Sequence, residues 1–109
     1  MLEMVARYAN TLAKYGVPAE RRKIAVVFHQ QGTRFTLKDD AYPKHNEGHQ
    51  NPNSALIKEL KKGGIDLRVC GQGLLNNKFE AAEIVPDVQV DLWALTTLID
   101  LGQQGYVRI

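Results

Sequence analysis

The fold of this chain turns on Ile65-Asp66-Leu67-Arg68-Val69-Cys70-Gly71-Gln72-Gly73. Ile65, Leu67 and Val69 alternate with the polar Asp66 and Arg68, the two-residue period of a short β-strand. The strand ends on the one cysteine of the chain and runs into a glycine-rich turn. A short helix is expected next, near Gln72 to Asn77. A thiol at the C-terminal end of a strand, facing a helix N-terminus, stands where open α/β sheets place their chemistry.

Upstream of this stretch, Asn51-Pro52-Asn53-Ser54 starts a helix, with Pro52 in its first turn and Asn51 or Asn53 as cap. Ala55, Leu56, Ile57 and Leu60 face inward. Lys61 and Lys62 suit the C-terminal dipole, and Gly63 or Gly64 supplies a left-handed end. Further back, Lys23 to His29 is a strand whose unbroken apolar run, Ile24 to Phe28, suits burial on both faces of a parallel sheet. His29 is its last residue. Between these elements, Thr33 to Lys38 reads as a short strand or one packed turn. Asp39 to Gln50 reads as a polar loop. At the start, Leu2, Val5, Ala9, Leu12 and Ala13 put an apolar stripe on a helix over residues 2–15, which Gly16 and Pro18 stop.

Downstream, Phe79 to Glu83 reads as a further turn and Val88 and Val90 as a very short third strand. Asp91 is expected to cap a helix, Leu92 to Gln103, whose apolar positions are Leu92, Leu95, Leu98, Ile99 and Leu101. Tyr106 to Ile109 closes as a last strand. Strands alternate with helices, so the expected architecture is α/β: a parallel sheet with helices on both faces. The sheet is small, and oligomerisation is expected to add burial.

A chain of 109 residues is one domain with one core, residues 1–22 forming an N-terminal helix and linker. Apolar content of 44% and charged content of 24% are ordinary for a globular protein. A net charge of +2, and aromatics not interleaved with arginines, argue against nucleic acid as a partner. No apolar run is long enough to span a membrane, and Met1 to Arg7 is not a signal peptide. One cysteine excludes an intrachain disulfide and a multi-cysteine zinc site, and fits a reducing compartment best. Gly71-Gln72-Gly73 lacks the third glycine and the acidic partner of a dinucleotide fingerprint, and there is no P-loop, so no cofactor is expected. His45 and His49 sit in a loop with Pro43 and Gly48. They read as surface histidines, with a metal site using His29, His45 or His49 the weaker option.

Cys70 admits two readings. In one it is a small buried hydrophobe at a strand end, as free cysteines often are. In the other, Gly71 and Gly73 leave amides open around the sulfur, and a helix N-terminus stabilises an anionic form. Without a second cysteine, a two-thiol redox cycle within the chain is excluded, but one thiol suffices to carry sulfane sulfur. His29 opens on the same sheet edge and serves as proton acceptor or charge partner, or is simply a half-buried histidine bonded to backbone. Asn51 and Asn53 lie near that edge as caps or as contacts to a bound group.

Four segments together, Lys23 to His29, Asn51 to Leu60, Val69-Cys70-Gly71-Gln72 and Gly105-Tyr106, resemble the DsrE/DsrF-like family, small sulfur-relay and sulfur-oxidation proteins of the YchN-like fold. The resemblance covers about residues 24 to 109 well and the first helix loosely. It implies a three-layer α/β/α domain with a mainly parallel sheet, assembled as a homo-oligomer, a trimer or hexamer. It also implies a cysteine, here Cys70, that accepts sulfur as a persulfide, with sulfur donor and acceptor proteins as partners. The amides near Gly71 and Gln72 would hold the anionic sulfur. Gly71-Gln72-Gly73-Leu74-Leu75 departs from the small-residue run that often follows this cysteine in relay members. Relatives also tend to begin with a strand before the first helix, so the resemblance allows for residues upstream of Met1. The expected location is the cytoplasm, or the periplasm if an export signal precedes. The alternative function is a non-catalytic oligomeric binding or scaffold module of the same fold.

Overall fold

The computed structural model describes residues 2–108. Among these, three strands form one parallel sheet in the order β1-β2-β3: β1 Ala25–Phe28, β2 Asp66–Cys70 and β3 Gln89–Asp91. Ala25 pairs with Asp66 and Phe28 with Val69; Arg68 pairs with Gln89 and Cys70 with Asp91. Five α-helices accompany the sheet: α1 Leu2–Lys14, α2 Tyr42–His45, α3 Ser54–Lys62, α4 Gly71–Asn76 and α5 Ala94–Gln103. The result is the expected three-layer α/β/α arrangement.

The two faces of β2 are built differently. Leu67 and Val69 point to one side, where α1 and α3 lay down Leu2, Ile57 and Leu60 and β1 adds Phe28. This is the main core. The alternation of the strand sends Asp66, Arg68 and Cys70 to the other side. There α5 covers the sheet with Ala94, Thr97 and Leu101, all buried. That second layer is held by polar bonds as much as by apolar contact. The Arg68 guanidinium donates to Asp66 at 2.9 Å and to Asp91 at 3.3 Å. The Thr97 hydroxyl donates to the same Asp91 oxygen at 2.7 Å. The carboxylate of β3 therefore ties the centre of the sheet to the middle of α5.

The structure corrects several expectations. Asp91 does not cap α5; it ends β3, and its side chain is spent on Arg68, Thr97 and Gln89. The helix starts at Ala94, not Leu92. Its inward line is Ala94, Thr97, Leu98 and Leu101, while Leu92, Leu95 and Ile99 stand 77%, 47% and 54% exposed. Val88 is buried just before β3 rather than in it. Ala55 faces solvent. The stretch read as strand or turn is a 3₁₀ helix, Gln30–Thr36. It is a packed turn because Thr33, Thr36 and Leu37 all point inward, which no two-residue period allows. The polar loop contains α2, anchored by buried Tyr42. Tyr106 to Arg108 form no strand, and Ile109 lies outside the described residues.

Asp91 sets a pH dependence. Burial opposes its charge, but hydrogen bonds from Thr97, Gln89 and Arg68, with the Arg68 charge, outweigh that cost and hold it below the usual carboxylate range. Asp66 first, and Asp91 after it, push Arg68 further above its already high range. A carboxylate with a depressed folded-state pKa contributes stability in full above its unfolded value, about pH 4, and loses it as pH falls through the folded value. Resistance to urea unfolding is therefore expected to fall as pH drops across that acid window in the wild type. Asp91→Asn is expected to lack that part of the slope; an unchanged slope in the variant would contradict the assignment.

Candidate functional site

The C-terminal edge of the sheet gathers the end of β2 and its neighbours. Cys70 is the last residue of β2, and α4 begins on the next residue. Its side chain is on the α5 side and only 5% exposed. Its Sγ accepts a hydrogen bond from the backbone N–H of Ala94, the first residue of α5, at 3.1 Å. The amide expected from the following helix is thus supplied by a more distant one. The first N–H groups of a helix have no intrahelical partner, and here one of them is satisfied by sulfur.

Gly71 and Gly73 are explained by crowding rather than by turn geometry. A Cβ on Gly71 would stand 2.5 Å from the Asp91 carbonyl oxygen and 3.1 Å from that of Leu92. The backbone of α4 thus lies directly against the segment that leads from β3 into α5. A Cβ on Gly73 would stand 2.7 Å from the Thr33 hydroxyl and 3.6 Å from the Cys70 Cβ. The two glycines let the β3–α5 segment and the 3₁₀ helix approach the start of α4 closely, next to Cys70.

The remaining expected site residues are less tightly gathered. His29 follows β1 beside Cys70 in the strand order, but its side chain is exposed and makes no hydrogen bond among the described residues. Gln72 is exposed on α4. Asn51 is a tie between elements: its amide donates to the Phe35 carbonyl at 2.9 Å, and its oxygen accepts from the Asn53 N–H at 2.9 Å. It anchors the 3₁₀ segment to the approach of α3. Asn53 holds the cap position of α3 without a side-chain bond, and Pro52 precedes the helix. No group of three or more histidine, cysteine or acidic side chains among the described residues is placed to hold a metal. His45 instead pairs with Glu83 at 3.0 Å and packs edge-on against Phe79. Glu83 is held below the usual carboxylate range by the Glu80 backbone and then by His45.

Two members of the site escaped the sequence reading. The Ala94 amide carries no side-chain signature. Thr33 lay in a stretch whose alternation favoured Phe35 and Leu37; the signal that could have found it is the second glycine after Cys70, which needs a close neighbour.

The model of one protein family, the DsrE/DsrF-like family, matches residues 2–109. The chain belongs to the DsrE/DsrF-like family. Membership points to a sulfur-relay-related role. A solved structure of similar fold is that of a protein of unknown function, MTH1491, from Methanobacterium thermoautotrophicum. It shares 17% identity with a TM-score of 0.68, over 96% of this chain and 85% of that one. No curated protein matches the chain. No helix among the described residues is long and apolar enough to cross a membrane.

The crowding at the glycines is testable. The atoms facing Gly71 are backbone, which cannot swing aside. Gly71→Ala is expected to cost about 1–3 kcal/mol by overpacking, read from denaturant unfolding. A variant as stable as the wild type would show that α4 and β3 can separate at no cost.

Proposed function

We propose that this protein carries sulfane sulfur as a persulfide on Cys70, acting as a sulfur carrier or sulfurtransferase-like protein of its family. The observation that carries the reading is the sulfur itself. It is the only thiol in the chain, fixed at the end of the central strand, with an amide N–H aimed at it from the start of α5. A rigidly held sulfur with a donor in place needs little reorganisation when its charge changes.

The step balances simply. The Cys70 thiolate attacks the outer sulfur of a donor persulfide, R–S–SH. The Cys70 S–S bond forms as the donor S–S bond breaks, and the donor leaves as R–S⁻. The transferred sulfur keeps its proton and its oxidation state. An acceptor thiolate reverses the exchange. His29, exposed beside the edge, is suited to meet the charge of an incoming donor. Gln72, also exposed, lies where a partner would approach.

Burial of the thiol favours a second reading, a purely structural cysteine in a binding or scaffold module. In the carrier reading, a donor reaches the sulfur by displacing the short segment 92–94 that covers it. Incubation with glutathione persulfide followed by intact mass spectrometry separates the two. The wild type is expected to gain the mass of one sulfur atom and Cys70→Ala to gain none. Absence of a gain in the wild type, or an equal gain in the variant, would leave the structural reading standing.

The same proposal includes assembly as a trimer or hexamer. Leu95 and Ile99 are exposed on the outer face of α5, which carries no basic residue, and Leu92 is exposed just before the helix. Exposed patches of this kind mark interaction surfaces. Light scattering is expected to give a trimeric or hexameric mass, and Ile99→Lys to lower it; a monomeric wild type at micromolar concentration would defeat this part.

A further inference from the structure

Thr33 is fully buried, at 0% exposure, and its hydroxyl has no hydrogen-bond partner. Thr36, three residues on in the same 3₁₀ helix, is equally buried, but its hydroxyl donates to the Thr33 carbonyl at 2.7 Å. Burying a hydroxyl without a partner costs free energy that a valine of the same shape would not. The unmet hydroxyl is also not in an arbitrary place. It presses on Gly73, and the position a Gly73 side chain would occupy lies 2.7 Å from Thr33 Oγ1 and 3.6 Å from Cys70 Cβ. The missing side chain of Gly73 is what allows hydroxyl and cysteine to share this corner.

In the thiol form the two groups make no hydrogen bond, and Sγ is already served by the Ala94 amide. A persulfide changes the geometry. It places a second sulfur one S–S bond, about 2 Å, beyond Sγ. That atom is an acceptor, and a threonine hydroxyl rotates freely to present its proton.

We infer that the Thr33 hydroxyl is the internal donor that receives the outer sulfur of the Cys70 persulfide. Thr33 is then a binding and positioning group for the loaded state: idle in the thiol, bonded in the persulfide. The inference rests on the reading that Cys70 carries sulfane sulfur. It adds the group that holds the cargo inside the protein. It also accounts for Gly73, since a side chain there would meet the Thr33 hydroxyl at 2.7 Å, next to the Cys70 Cβ.

The test compares wild type, Thr33→Val and Thr33→Ser, each loaded with glutathione persulfide. Uptake by the wild type is checked first by mass; if none occurs, the carrier reading fails and this inference with it. With uptake shown, loss of the sulfur to cyanide is timed as thiocyanate. Thr33→Val is expected to lose its sulfur about three- to tenfold faster, the factor of one hydrogen bond. Thr33→Ser is expected to restore retention. Two controls exclude a merely structural effect. Thermal stability of Thr33→Val is expected to equal or exceed that of the wild type. Alkylation of the unloaded Cys70 by iodoacetamide is expected to proceed at the wild-type rate. Retention by Thr33→Val equal to wild type, or faster alkylation of its unloaded thiol, overturns the inference.

Discussion

The backbone contact between the start of α4 and the end of β3 constrains everything around it. Residue 71 can carry no side chain because the Asp91 carbonyl occupies the space. That contact brings the chain leaving β2 under the chain leaving β3. It therefore places the first amide of α5 over the residue that precedes Gly71, which is Cys70. The sulfur is enclosed because two parallel strands end side by side and their successors must pass each other. Parallel pairing of Cys70 with Asp91 makes this unavoidable. The enclosure is thus a property of the strand order and not of the cysteine.

The second constraint is electrostatic. β2 sends an arginine, not an apolar residue, toward α5. Arg68 is half-buried, and all three of its guanidinium nitrogens donate to Asp66 or Asp91. Removing one partner of such a network would leave an uncompensated charge beneath a helix. Thr97 joins the network, so α5 is oriented by hydrogen bonds at Thr97 and at Ala94 as well as by Leu101. This orientation turns Leu95 and Ile99 outward. An amphipathic helix read from its apolar residues alone would be rotated the other way, with Leu95 and Ile99 against the sheet.

That rotation shows where the sequence was legible and where it was not. β1 and β2 were readable as strands from an apolar run and a two-residue alternation, but β1, expected to be buried on both faces, is an edge of the described sheet with Ala25, Val26 and Val27 only half-buried. The helices α1 and α3 were readable from their apolar positions too, at a period near 3.6. The sulfur position followed from a strand ending at the only cysteine. What stayed hidden depended on non-local pairing. The Asp91 carboxylate looked like a cap because aspartate before a helical run usually is one; only the approach of Arg68 and Thr97 reveals its other use. The 3₁₀ segment and the residue after it place Thr33, Thr36 and Leu37 inward at spacings of three and one, a pattern too short to separate from a strand. The donor to Cys70 is a backbone N–H, which every residue but proline has. The glycines at 71 and 73 were visible but read as openness around the sulfur. In the structure they do the opposite: they let neighbours close on it.

This closure bears on what a sulfur carrier needs. A persulfide is more exposed to attack than the thiol it came from, since its outer sulfur is open to any thiolate that reaches it. A carrier that displayed its cargo would lose it to the first small thiol it met. Cys70 lies on a rigid strand end, beneath a short segment joining β3 to α5, with one donor already at Sγ and an unused hydroxyl nearby. In the proposed carrier, holding the sulfur inside and admitting a donor by displacing residues 92–94 would separate storage from exchange. That segment leads directly into the helix that bears the outward-facing Leu95 and Ile99. A surface that docks on α5 would therefore act on the segment that covers the sulfur. If the chain assembles through Leu95 and Ile99, as proposed, assembly and access to the thiol would be coupled, because the helix bearing those residues begins at Ala94, whose amide bonds Sγ.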